Sequence, residues 1–411
     1  MKRMLALLLT CALSLSLLPG CTTASAAAKE LSAPEVTVTP ADSEAVNQAL
    51  AEFGLSLLQN TREVEKKPVL LSPLSVALAL SMAANGADGD TLAQFETVLG
   101  GNTSLEELNA ACAQLMADYQ RMGGSTTCSI ANSLWCDPEG QIKEEFVGKC
   151  RGVFDAQVFQ AELSDSAIVK DLNGWISDHT EKMIPQIIDK PFEEATAALL
   201  VNALYLKNTW AAEFDPNSTL EREFTHESGK TEQMDFLNAG QRDYPYIQGD
   251  GVQGVVLPYD DGRMGFLALL PDGDLDSWLD DLEGSDLSQL IAGAEDALFL
   301  HLALPKFEAE WSGSLTGILS ELGLDAAFDP SRADFSQLGD NPEGYYLSQV
   351  IHAAKIEVNE KGTEAAAATV VAAAGAGEPH TAGIRLVLDR PFLYGIIDFE
   401  TGVPLFLGTF E

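Results

Sequence analysis

The sequence is poor in positive charge. Lysine and arginine together number 24 against 62 acidic residues, a formal net charge of -38 over 411 residues. So acidic a chain repels phosphate backbones and anionic lipid surfaces, which excludes nucleic acid and charge-driven membrane binding. Histidine is scarce as well, with five scattered along the chain. Neither G-x-S-x-G nor H-E-x-x-H occurs, so no hydrolase nucleophile, catalytic residue, metal site or cofactor is expected. None of the six cysteines forms C-x-x-C, which argues against a redox or zinc site. Asp272, Asp274, Asp276 and Glu283 have the spacing of a calcium loop, but Ser277 stands where the turn needs glycine. An acidic helix start explains that run more simply. No internal linker, repeat or charge block divides the chain after its first 40 residues.

What is present begins with a targeting segment over residues 1–20. Lys2 and Arg3 precede an apolar run from Leu5 to Leu18, too short to be expected to span a bilayer. Leu18-Pro19-Gly20-Cys21 resembles a bacterial lipobox, in which Cys21 would be lipidated. Ordinary cleavage after Ala24-Ser25-Ala26 is the competing reading. The protein is thus expected to be exported, either as a cell-membrane lipoprotein facing outside or secreted, touching membrane only through the lipid. Residues 21–40 are rich in Ala, Ser, Thr and Pro and read as a flexible tether. With Cys11 removed and Cys21 lipidated, Cys112, Cys128, Cys136 and Cys150 are left. An even number in an exported protein suggests disulfides, with three possible pairings; buried free thiols are the alternative.

Helical spacing of Val46, Leu50, Phe53 and Leu57 predicts a helix over Glu44 to Gln59. Ser72-Pro73-Leu74-Ser75 reads as an N-cap with proline at the first turn, opening an apolar helix. Further helices are predicted over Leu105 to Tyr119 and Leu172 to Thr180. Strands are predicted at Ser129–Trp135, Leu199–Leu206, Val255–Tyr259, Leu267–Pro271, Lys355–Val358, Ile384–Leu388 and Phe392–Ile397. Between the strands at 355–358 and 384–388 lies Glu360 to Gly377, EKGTEAAAATVVAAAGAG, about twenty small residues with nothing bulky to anchor them. By composition alone this is a low-complexity linker.

The order of its residues says more. Glu360-Lys-Gly-Thr-Glu-Ala-Ala-Ala-Ala-Thr369 resembles the hinge of the reactive-centre loop in inhibitory serpins. SPLSVALALSMAANGADGDT, the Leu199–Leu206 run with Lys207 and Trp210, Leu302-Ala-Leu-Pro-Lys-Phe307, Asp389-Arg-Pro-Phe392 and Pro404-Leu-Phe-Leu-Gly408 are similar to further serpin segments, in the family's order. The resemblance implies an α+β serpin domain over residues 41–411, with about nine helices around three β-sheets and an exposed loop at about 360–383. It implies a monomeric inhibitor rather than an enzyme. A serine protease would cut the loop, and the loop would enter the main sheet while the protease is still held as an acyl-enzyme.

The residues suit that task. Gly362 permits the backbone swing, Thr363 can enter first, and Ala365, Ala366, Ala367 and Ala368 pass a close-packed interior. Glu360, Glu364 and Thr369 complete the hinge. By resemblance Ser72, Ser75, Asn202 and His352 would meet beneath the sheet at a shutter, and Trp210 would stand in the breach where the loop enters. Taken singly, each is an ordinary cap or core residue. The family's register counts fourteen residues from Gly362, which sets the reactive bond at Ala376–Gly377. Ala374–Gly375 and His380–Thr381 are nearby candidates, and small residues there suit elastase-like or subtilisin-like proteases. A non-inhibitory serpin, used for binding or structure, is the alternative, although such members tend to carry bulky, charged or proline residues in the hinge.

Overall fold

The computed structural model describes residues 28–193, 197–342, 344–363 and 383–411. Among these residues there are three sheets, of seven, nine and two strands. Around them stand eight α-helices and a ninth helical stretch over 316–328, interrupted at Gly323.

The first helix, Glu44–Glu65, carries the predicted apolar stripe. Ser43 caps it by accepting from the Val46 N–H at 3.3 Å, and Lys66, in the left-handed region at φ 52°, ends it. It runs past the expected Gln59 because Thr61 and Arg62 are buried too. Helix Pro73–Ala84 is buried on every side, as its unbroken apolar sequence requires. Here the expected cap fails: the Ser72 hydroxyl makes no capping bond.

The main sheet runs, edge to edge, Lys29–Glu30, Gln157–Gln160, Thr127–Cys136, Ala198–Thr209, Gly362–Thr363, Gln349–Val358 and Phe307–Ser314. Strand Ala198–Thr209 is covered on both faces, which explains why its sequence is continuous rather than alternating. Leu200, Leu204 and Leu206 join the core that includes helix Pro73–Ala84. Leu199, Val201 and Ala203 pack in a second core with Ile168, Leu172, Trp175 and Ile176 of helix Ala167–His179. Of the two strands flanking residues 364–382, Gln349–Val358 lies in the main sheet and Arg385–Val387 in the nine-stranded sheet.

Two expectations change. The segment read as a tether is held from Lys29 onward. Lys29 and Glu30 pair with Gln160 and Phe159, and Leu31 donates to the Val158 carbonyl at 2.8 Å. Val36 donates to Gly148 at 2.9 Å, and its own carbonyl sits so close to Gly152 that a Cβ there would lie 2.4 Å from it. The two glycines on helix Glu144–Phe154 make the groove for this strap. The cysteines are free thiols, three of them buried. Cys128 and Cys136 stand near the two ends of one strand, about 25 Å apart at strand rise, far beyond disulfide reach. Burial pushes the Cys112 and Cys128 thiols up to about 12. Asp274 caps helix Leu275–Asp280 through the Ser277 N–H, and no metal-binding cluster is found among the described residues. No helix among them is long and apolar enough to cross a membrane.

Candidate functional site

Strands Ala198–Thr209 and Gln349–Val358 run parallel and touch only over their first halves, Gln349 to Ala353 opposite Leu199 to Ala203. At their far ends Gly362–Thr363 lies between them. Gly362 is opposite Thr209, and Thr363 is opposite both Asn208 and Val358, antiparallel on each side. The strand closing the gap is therefore only two residues long, and both of them, Gly362 and Thr363, belong to the segment that resembles a hinge.

That upper end is densely tied. The chain reverses at Asn359, whose side-chain oxygen accepts from the Lys361 N–H at 2.9 Å. Trp210 donates its backbone N–H to Lys361 and its indole N–H to the Asn359 carbonyl, at 2.9 and 2.8 Å. The Trp210 ring stacks on Tyr259, 4.9 Å between centroids. The Tyr259 hydroxyl in turn accepts from Thr363 at 2.8 Å, and Thr363 is buried. Glu360 pairs with Lys306 at 3.0 Å and accepts from the Thr219 hydroxyl at 2.9 Å. Burial opposes ionisation of Glu360, but these donors outweigh it and hold the carboxyl below its ordinary value. Gly362 is obligatory: a Cβ there would lie 1.9 Å from the Asn208 carbonyl oxygen.

The lower end is different. Asn202, from the middle of its strand, accepts from Ser75 and donates to Asn132 at 2.7 Å. His352, opposite Asn202, accepts the Ser72 backbone N–H on Nε2 at 3.0 Å. All five residues are buried. Yet the Ser72 hydroxyl, His352 Nδ1 and one Asn132 amide nitrogen have no hydrogen-bond partner. Burial holds the imidazole neutral by pushing its pKa down to about 3.

The structure thus brings Ser72, Ser75, Asn202 and His352 together beneath the sheet, and ties Trp210 to Asn359 and Lys361 in the turn that carries Glu360 and leads to Gly362 and Thr363. Glu364, Ala365, Ala366, Ala367, Ala368, Thr369, Ala376, Gly377 and Cys21 lie outside the described residues. Sequence reasoning missed Asn132, Thr219, Tyr259, Lys306 and Asn359. Asn132 had a visible signal, an asparagine inside an apolar strand. The others are polar residues at strand ends, whose partners only the tertiary fold supplies.

Comparison with known proteins bears on this geometry. Residues 48–411 match the family model described as Serpin (serine protease inhibitor). The chain is 31% identical over 363 residues to Serpin-ZXA of Oryza sativa subsp. japonica, covering 83% of this chain and 89% of the relative. It is 30% identical over 380 residues to Serpin B6 of Macaca fascicularis, covering 89% and 98%. Among solved structures it is similar to the thermophilic serpin Tengpin in its native state, with a TM-score of 0.84, 33% identity, and 93% and 99% of the two chains covered. Against the latent state of Tengpin the TM-score is 0.77, at 31% identity and 91% and 99% coverage. With the family model spanning residues 48–411, and relatives 30–31% identical over most of their length, the chain belongs to the serpin family, whose members are generally protease inhibitors.

Proposed function

We propose that this serpin is an inhibitory one, a suicide substrate for serine proteases of small-residue specificity, elastase-like or subtilisin-like. The observation that carries the reading is the two-residue strand Gly362–Thr363, seated between two parallel strands that pair directly below it. Continued in the same register, the chain after Thr363 finds partners as far as Ala373, opposite Ala198. A cut at Ala376–Gly377 lies just beyond that point and would free the segment to fill the gap.

In the proposed reaction the protease serine attacks the Ala376 carbonyl. The bond to the Gly377 nitrogen breaks, the new amine takes the proton, and Ala376 is left as an ester on the enzyme. Insertion then carries the ester-bound protease away before water can hydrolyse it. The five direct pairs between Gln349–Ala353 and Leu199–Ala203 would give way to two new ladders on either side of the inserted strand. Each ladder bond contributes about 0.5–1.5 kcal/mol net, against about 1–2 kcal/mol to order each residue. Relief of an imperfect uncut sheet must supply the rest. In this reading Ser72, Ser75, Asn202 and His352 act as the shutter and Trp210 as the breach. Export, and lipidation at Cys21, belong to the same proposal and rest on the N-terminal sequence.

The test mixes the mature protein with an elastase-like protease and follows it by denaturing gel and mass analysis. A denaturant-stable band at the summed mass, less the C-terminal fragment, is expected. Cleavage without such a band, and with no gain in thermal stability of the cut protein, would overturn the proposal in favour of a non-inhibitory member.

A further inference from the structure

Beside the turn at 359–361 lies a small cavity of about 150 Å³. Three aromatic side chains wall it: Trp210 and Phe214, from the chain just past strand Ala198–Thr209, and Tyr244 of strand Thr231–Gly249. Leu257, Pro258 and Ala212 complete the lining around them. The stretch 210–214 is fixed from both sides. Ala211 donates its N–H to the Pro258 carbonyl at 2.9 Å, and the Arg242 guanidinium donates to the Ala212 carbonyl at 3.0 Å. The Trp210 and Phe214 rings stand 6.1 Å apart and nearly perpendicular. Trp210, Phe214, Tyr244 and Leu257 are each at most 5% exposed, so packing on their other sides holds the cavity open in this shape.

The walls select the occupant. An apolar space of this volume takes one benzene-sized ring, and aromatic walls favour an aromatic guest. A charged guest would lose its hydration there. The rim favours neither sign, since it carries both the Asp243 carboxylate and the Arg242 guanidinium. One polar group remains to be met. The Tyr244 hydroxyl is buried without a hydrogen-bond partner. Burial pushes its pKa up, against the pull of Arg242, so it keeps its proton and is a donor in need of an acceptor.

We propose that this cavity is a binding site for a neutral one-ring aromatic molecule carrying a single hydroxyl, of which phenol is the smallest example. The ring fills the space between Trp210, Phe214 and Tyr244, and its oxygen accepts from the Tyr244 hydroxyl. The site is linked to the turn that leads to Gly362. Trp210 donates to the Lys361 and Asn359 carbonyls, and Phe214 donates its N–H to the Glu360 carbonyl at 2.9 Å. A guest packed on these two rings restrains the same residues that hold the turn, so binding and the turn stabilise each other. The inference does not depend on the inhibitory reading, because the turn belongs to the intact protein whichever kind of serpin it is.

The experiment titrates the intact, full-length mature protein by calorimetry with phenol, with toluene, which has the ring without the oxygen, and with benzoate, which is charged. Wild type is compared with Tyr244→Phe, which keeps the ring and removes the hydroxyl, and with Ala212→Leu, which narrows the cavity from its exposed rim. Thermal unfolding without ligand checks that both variants fold as wild type does. Wild type should bind one phenol per chain, toluene about fivefold more weakly, and benzoate not at all. Tyr244→Phe should bring phenol down to the level of toluene and leave toluene unchanged. Ala212→Leu should weaken both by at least about tenfold. With phenol bound, the unfolding midpoint of wild type should rise and hydrogen exchange should slow at the Trp210 and Phe214 amides. Phenol binding that does not saturate, or that Ala212→Leu leaves intact, would overturn the site. Equal phenol affinity in wild type and Tyr244→Phe would overturn the role of the hydroxyl, and unchanged exchange at the two amides would overturn the link to the turn. None of these readouts involves a protease, so a failure of the inhibitory reading shows separately, as cleavage without a denaturant-stable band.

Discussion

The two ends of the seam between Ala198–Thr209 and Gln349–Val358 are built on opposite principles. At the upper end the hinge is already in place, and the polar groups around it are matched: Glu360 by Lys306 and Thr219, Thr363 by Tyr259, Asn359 by Trp210. At the lower end the strands touch directly, and three buried polar atoms are unmatched. A buried donor or acceptor without a partner costs about 1–3 kcal/mol. The contrast is one of hydrogen-bond satisfaction at the two ends. In the proposed reading the upper end is near its final arrangement before any cleavage, while the lower end has still to part. Substitutions can address the two ends separately.

The largest effect should come from blocking the upper end. Thr363 is buried, with its hydroxyl on Tyr259. Thr363→Arg would force an unpaired guanidinium into that site, at a cost of several kcal/mol, more than a few ladder bonds return. The loop should still be cut, so the variant should be turned over as a substrate with no denaturant-stable band on a gel. Persistence of the covalent band would mean that the hinge need not occupy the position seen here.

Acid should test the lower end. His352 is buried and neutral, its pKa pushed by burial from 6.5 to about 3. In the unfolded chain the imidazole takes up a proton near 6.5, which the folded protein refuses. The unfolded state therefore binds more protons below 6.5, and the stability that His352 confers above that pH is lost as pH falls from 6.5 toward 3. Between pH 6.5 and 5, before most carboxylates titrate, the loss is about 2 kcal/mol. Intact wild type should weaken across that range in chemical denaturation, and His352→Gln should not. Parallel curves for the two proteins would show that His352 is not held neutral.

Much of this was legible in the chain. Strands and helices were visible wherever a residue's neighbours in sequence set its environment, as in the stripe of Val46, Leu50, Phe53 and Leu57. The hinge was named from the order of its residues, which resembles a family segment; by composition alone it read as a linker. The shutter residues could be named from family likeness, but their individual signals were weak, since a buried serine or histidine looks the same in any core. The tether was misread from Lys29 onward because its anchors, Gly148 and Gly152, lie more than a hundred residues away and signal only as spaced glycines on a helix. The unmatched state of Ser72 and His352 could not be read at all, because being unpaired is a property of three-dimensional neighbours and leaves no mark on sequence.

The smallest effect should come from loosening the upper end without blocking it. Glu360→Gln removes the charge that meets Lys306 but leaves an acceptor for Thr219. Lys306 is 38% exposed, so water screens the pair and its loss is about 1 kcal/mol. In a chain this size that lowers the melting temperature by about 1 °C. Magnitude matters less here than which form feels it. Since Glu360 precedes the segment that would insert, its partners should be the same before and after cleavage, and the intact and cut forms should lose equal free energy. Calorimetry of this variant in both forms therefore tests the division itself. If Glu360→Gln spares the cut form, the ion pair belongs to the uncut state alone, and the upper end is as unfinished before cleavage as the lower one.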